Sequence, residues 1–115
     1  MKINRSNAMR LWRQHFGDAE YAKDFHGYLM YREAYGDNKY FIYHRGNRIY
    51  CGWNIHHILP IALGGTNAVC NLVCTNIATN DAAKDKNTYW IDDCLYQVQR
   101  IHGTSNYKIV NLKIL

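Results

Sequence analysis

The chain has 115 residues, 48% of them hydrophobic, which predicts one globular domain over residues 1–115 and excludes a multidomain enzyme or a fibrous repeat. No apolar run approaches the ~20 residues that span a bilayer, and no basic start leads into an apolar leader, so we expect a cytoplasmic protein without a membrane segment. Fourteen Lys and Arg against nine Asp and Glu give a net charge of +5, which suits a polyanionic partner without requiring one.

The N-terminal third is predicted to be helical. Apolar residues recur there at near-helical spacing and a glycine follows them, in the order Met9, Leu11, Trp12, Phe16 and Gly17. Ser6 or Asn7 is placed to cap this helix, and Gly17 to end it. Two further helices are predicted over residues 19–25 and 28–34, with Gly27 between them and Gly36 after the second.

A β-hairpin is predicted next. Two runs rich in aromatic and β-branched residues, 39–44 and 48–55, flank Arg45-Gly46-Asn47, which has the composition of a tight turn. Residues 58–70 follow as a loop that Pro60 and a Gly-Gly pair bend.

The last elements are a short strand, a helix and a meander. The strand is predicted over residues 72–74, and the helix from Thr75 to about Lys86. On this helix, Asn76, Asn80 and Lys84 would share one face. The remaining residues alternate between polar and apolar with turns at 92–93 and 103–106. Together with the N-terminal helices, these elements predict an α+β fold ending in an antiparallel β meander.

The four cysteines favour reduced thiols. None forms the CxxC pair that is typical of a structural zinc site, and no secretion signal accompanies Cys51, Cys70, Cys74 and Cys94. Buried thiols are therefore the favoured interpretation. A cysteine-zinc interaction module stays open as a second alternative.

The most informative residues lie between Trp53 and Lys84. A predicted strand ends in His56 and His57, whose side chains would normally point to opposite faces. Both can serve one site if the strand ends there, and Pro60 supports that ending. A histidine pair that faces the Asn/Lys face of the next helix would form a cradle for a metal and a phosphate.

This segment resembles the HNH endonucleases, the ββα-metal nuclease family. The features that carry the likeness lie within about residues 50–88, and they are the His-His pair, Pro60, Gly64-Gly65, Asn71-Leu72 and Asn80. Asn71 follows His57 by fourteen residues and Asn80 follows it by twenty-three, as in HNH domains of CRISPR effectors and small phage nucleases. The resemblance implies a ββα-metal core, and a bacterial, phage or mobile-element context.

The resemblance also implies a role for each matched residue. His57 would be the general base that activates water, and Asn71 would hydrogen-bond the loop and orient that base. His56 and Asn80 would bind one divalent ion, which stabilises the phosphate and the departing 3′ oxygen. An imidazole suits a general base because its unperturbed pKa lies near neutral. The implied function is metal-dependent hydrolysis of DNA.

The implied metal ligands include no carboxylate. His56 stands where many family members have Asp, and Asn80 where many have His. We therefore expect weak metal binding until DNA adds its phosphate. The expected cofactor is one Mg²⁺ or Mn²⁺ ion, with Ni²⁺, Co²⁺ and Zn²⁺ as alternatives because imidazole suits borderline metals.

The expected partner is double-stranded DNA. No recognition helix or finger is evident, and for so small a chain we expect cleavage with low sequence specificity. Contacts to its phosphates are predicted for Lys84, Lys86, Arg45 and Arg48. Asp24 is a candidate outer carboxylate of the site. A homodimer stays open. The alternative function is an inactive HNH-like module that binds nucleic acid or a protein.

Overall fold

The computed structural model describes residues 1–114 and has an α+β fold with small antiparallel sheets, as the sequence predicts. Its elements in chain order are α1 Arg5–Phe16, β1 Tyr21–Lys23, β2 Leu29–Tyr31, β3 Phe41–His44, β4 Asn47–Tyr50, β5 Trp53–His57, β6 Leu72–Asn76, α2 Ile77–Ala83, β7 Thr88–Ile91, β8 Cys94–Arg100 and β9 Tyr107–Ile114. Among residues 1–114, no helix has the length and apolar character needed to cross a membrane.

The first predicted helix is confirmed, with a different cap. Helix α1 begins after Asn4, whose side-chain oxygen accepts the backbone N–H of Asn7, so neither Ser6 nor Asn7 is the cap. Gly17 ends the helix as predicted. It has a positive φ of 62° and donates its N–H to the carbonyl of Arg13.

The two further N-terminal helices are wrong. Residues 19–25 and 28–34 contribute the antiparallel pair β1–β2, and a single 3₁₀ turn follows at Arg32–Ala34. The chain reverses between these strands because the carboxylate of Asp24 accepts three backbone N–H groups in succession, those of His26, Gly27 and Tyr28. Side-chain capping of this turn outweighs the local tendency to form a helix.

The predicted hairpin is present, but its second strand is divided. Arg45 and Gly46 have φ values of 52° and 80°, as a two-residue turn between β3 and β4 requires. Strand β4 ends at Tyr50, and the chain starts β5 at Trp53, which pairs with β6 instead. The break occurs at Cys51, whose N–H donates to Tyr40 and whose carbonyl accepts from a different strand.

The following helix is shorter than predicted. Strand β6 continues to Asn76, which caps α2 by accepting the N–H of Ala78. Lys84 lies after the helix with a φ of 49°. The predicted common helical face of Asn76, Asn80 and Lys84 is therefore wrong, because the first and last of these residues lie outside α2.

The β5–β6 hairpin lies at the centre of the fold. One of its faces packs against α1, where the indole rings of Trp12 and Trp53 lie 5.0 Å apart. The buried residues of this cluster are Ala8, Leu11, Trp12, Met30, Trp53, Ile55, Leu72 and Cys74. Because strand side chains alternate, His56 points to the other face, and there it meets α2.

The C-terminal meander is confirmed. Strands β7, β8 and β9 form one antiparallel sheet in sequence order, and Asp92-Asp93 forms the turn between the first two. Its buried side chains pack with the end of α2 in a second cluster of Ala83, Tyr89, Ile91, Tyr96 and Val98. The meander therefore packs against the end of α2.

Burial predicts which cysteines react with a thiol reagent. Cys74 is buried and this raises its thiol pKa to about 12, and burial also raises the pKa of Cys51, whereas Cys70 is exposed. A raised pKa leaves less of the reactive thiolate. We expect iodoacetamide at pH 8 to modify Cys70 first and the two buried thiols only after unfolding, as followed by peptide mass spectrometry. Early modification of Cys74 in the folded protein would contradict this packing.

Candidate active site

A cleft of about 210 Å³ lies where β5 ends. Its lining consists of His56, His57, Pro60, Ile61, Ala62, Asn80, Lys84 and Asp85. His56 and His57 are the last two residues of β5, and the strand ends there. Both histidines line the same cleft, as expected from the ending of the strand before Pro60.

His56 is held by α2 and keeps one nitrogen free. The residue is 3% exposed, and Nδ1 lies 2.6 Å from Oδ1 of Asn80. An amide oxygen can only accept, so Nδ1 donates the proton and Nε2 carries the lone pair. Nε2 is buried and has no hydrogen-bond partner anywhere in residues 1–114. A polar atom buried in this way costs about 1–3 kcal/mol unless something binds it.

The environment of His56 favours its neutral form. Burial lowers the pKa of His56 below the ordinary histidine value, and His57 lowers it further. The hydrogen bond to Asn80 and the charge of Asp24 act in the opposite direction but are smaller effects. A neutral imidazole is the form that coordinates a cation.

These groups fit one divalent ion, with few ligands from the chain. The free Nε2 of His56 is an available imidazole donor, whereas Oδ1 of Asn80 is hydrogen-bonded to Nδ1, the other nitrogen of the same ring. Within the described part of the chain, no three His, Cys, Asp or Glu side chains converge on a common point. Asp85, for which the sequence predicts no role, adds an exposed carboxylate to the cleft lining.

His57 is oriented by Asn67, for which the sequence predicts no role. Its Nε2 lies 2.7 Å from Oδ1 of Asn67. Because that oxygen accepts, Nε2 carries the proton and Nδ1 keeps a lone pair that can accept a proton. Asn67 follows Gly64-Gly65-Thr66 in the loop after β5. The sequence therefore shows that it lies near the histidine pair, but not that it contacts His57.

Asn71 fastens the loop that carries Asn67. Its Oδ1 accepts the N–H of Leu59 at 2.8 Å, and its Nδ2 donates to the carbonyls of Leu59 and Thr66. The loop also requires Gly65, because a Cβ there would lie 1.8 Å from the Leu59 oxygen. Asn71 thus hydrogen-bonds the loop as expected. Its link to His57 is indirect, because Asn67 of this loop makes the contact with the imidazole.

Asp24 supports the helix from outside the cleft lining. Its side chain is buried, and Oδ2 accepts the N–H of Asn76 and the hydroxyl of Thr79. These contacts fix the first turn of α2, the helix that carries Asn80. Its observed contacts are thus with the backbone and hydroxyl groups of the fold.

The predicted phosphate contacts separate into two places. Lys84 lines the cleft, and Lys86 is exposed shortly after it. Arg45 and Arg48 lie on the β3–β4 hairpin and not in the cleft lining. The structure thus brings His56, His57, Asn80 and Lys84 together around one cleft.

No protein-family model, curated protein or solved structure matches the chain.

Proposed function

We propose that the chain is a metal-dependent DNA endonuclease that hydrolyses phosphodiester bonds, with β5, β6 and α2 as a ββα-metal core. The observation that carries the proposal is the pairing of two histidines in one cleft. His56 has a buried lone pair without a partner, and the neighbouring His57 has an oriented imidazole. Together they supply a cation ligand and a base, the two functions that phosphodiester hydrolysis needs.

Each side chain then has a distinct task. His57 takes a proton on Nδ1 from the attacking water, while Asn67 holds the opposite nitrogen. His56 would hold one divalent ion through Nε2, while Asn80 holds the ring in place through Nδ1. The bound ion supplies Lewis-acid stabilisation of the phosphate and the leaving 3′ oxygen. Lys84 balances phosphate charge at the edge of the cleft.

The net charge of +5 supports a polyanionic substrate. The cleft is small and lies at the surface. This shape suits the extended phosphodiester backbone of a nucleic acid better than an enclosed small molecule. One cleft with one base cuts one strand at a time. Double-strand cleavage therefore requires two successive events or a homodimer.

A plasmid assay tests the proposed activity. Purified protein is incubated with supercoiled DNA in EDTA or in Mg²⁺, Mn²⁺, Co²⁺, Ni²⁺ or Zn²⁺. We expect nicked circles in at least one metal and none in EDTA, with nicked product appearing before linear product. DNA that shifts on a gel without cleavage in any metal would replace the proposal with a binding module.

A metal titration tests the assignment of His56. In calorimetry without DNA, Mn²⁺ is expected to bind more weakly than the micromolar range, because His56 supplies one free imidazole nitrogen there. Replacing His56 with alanine should abolish the binding, and replacing the exposed His102 should leave it unchanged. Tight binding that persists in the His56→Ala variant would place the ion elsewhere.

A further inference from the structure

The β3–β4 hairpin carries an exposed aromatic face. Phe41 lies opposite Tyr50 and Tyr43 opposite Arg48, and partners opposite each other share one face of a sheet. The Phe41 ring lies 5.3 Å from that of Tyr43 and 5.6 Å from that of Tyr50. Tyr43 is 66% exposed and Tyr50 is 48% exposed. Two large rings are therefore presented to solvent beside a third.

The same hairpin is entirely cationic in its charged residues. Residues 39–50 contain Lys39, Arg45 and Arg48 and no Asp or Glu. The guanidinium carbon of Arg48 lies 4.8 Å from the centre of the Phe41 ring, so cation and rings form one surface. Within residues 1–114 the hairpin is a two-stranded sheet, and no third strand pairs with it.

We propose that this hairpin face binds unpaired bases of single-stranded DNA. Proteins that bind single-stranded DNA combine exposed aromatic rings with cationic side chains, because bases stack on the rings and phosphates bind the cations. Paired bases in a duplex are already stacked, so they would leave the rings of Tyr43 and Tyr50 without a partner. Because the hairpin has cationic and no acidic residues, its charge attracts a nucleic acid and repels a basic protein.

The hairpin lies apart from the cleft. The Tyr50 carbonyl accepts a hydrogen bond from Asn76, which caps the start of α2, whereas Asn80 and Lys84 bring the other end of α2 to the cleft. In this proposal, one DNA molecule contacts both places. The choice of DNA rests on the proposed nuclease function, and it implies a substrate in which an unpaired segment adjoins the strand to be cut.

The test measures binding in EDTA, where no metal-dependent cleavage occurs. Fluorescence anisotropy compares a labelled 20-nucleotide oligothymidylate with a 20-base-pair duplex. We expect the single strand to bind more tightly. Tyr43→Leu and Tyr50→Leu should each weaken its binding about fivefold or more, while changing duplex binding less than twofold. Tyr43→Phe keeps an aromatic face and should retain the affinity.

Controls separate stacking from folding and from catalysis. Trp90 is also an exposed aromatic residue, but it lies on β7, so Trp90→Leu should leave binding unchanged. Circular dichroism and melting temperatures check that the leucine variants fold. Equal binding of both DNAs, with no loss in either leucine variant, would overturn this proposal even if the plasmid is nicked. Tighter binding of oligouridylate would overturn the assignment to DNA. Selective single-strand binding without nicking would support it and contradict the nuclease.

Discussion

Replacement of His57 with alanine is expected to reduce metal-dependent nicking by about 10²–10⁴-fold, the usual contribution of a general base. Asn67 holds Nε2 of this imidazole at 2.7 Å, which leaves Nδ1 to accept the proton of the attacking water. Alanine removes that acceptor and leaves His56 and Asn80 in place. The initial rate of conversion of supercoiled to nicked plasmid, at a saturating concentration of the best metal, measures the effect.

Two further variants make this result specific. His102 is exposed on the loop after β8, so His102→Ala should nick at the wild-type rate. Asn67→Ala should lose less activity than His57→Ala, because the imidazole stays but its orientation relaxes. Metal binding and melting temperature should stay unchanged in the His57 variant. Equal nicking by wild type and His57→Ala would mean a contaminating nuclease or a different base.

Replacing Asp24 with asparagine should lower the free energy of unfolding by about 3 kcal/mol. The carboxylate accepts the N–H of Asn76 and the hydroxyl of Thr79 through one oxygen, and the turn at 26–28 through the other. Asparagine turns one of these oxygens into an NH₂ group, so one set of buried donors loses its acceptor. Urea unfolding followed by circular dichroism measures the loss, with the exposed Asp93→Asn as the matched control.

This variant also distinguishes a structural role from a role in metal binding. If Asp24 stabilises α2, its loss lowers stability, and nicking at a temperature where the variant stays folded is largely retained. If Asp24 is instead an outer carboxylate of the ion, the affinity for metal falls while stability holds. The contacts of Asp24 with Asn76 and Thr79 favour the first result.

Much of the candidate site follows short-range rules that can be applied to the sequence. The ending of β5 at His57 follows from the proline three residues later, and the loop after it from Pro60 and the glycines. The hairpin turn at Arg45-Gly46 and the final meander are also visible as patterns of turn residues and alternation. These features depend on neighbours within a few residues.

Other features depend on partners that are distant in the sequence. The 19–34 segment forms strands because Asp24 closes the turn and also binds α2, more than fifty residues further on. Helix α2 starts late because β6 continues pairing with β5 up to Asn76. Local spacing cannot reveal such pairing, so the helix predictions in these segments were wrong or too long.

The sequence alone determined the α+β class, the histidine pair at a strand end, the loop residues and the basic charge, since each follows from residue type and local order. The tertiary structure decided which atoms of the histidines are free. Asn80 accepts a hydrogen bond from Nδ1–H of His56, and Asn67 accepts one from Nε2–H of His57. A hydrogen bond between distant segments sets the tautomer of an imidazole, and no sequence pattern encodes that distance.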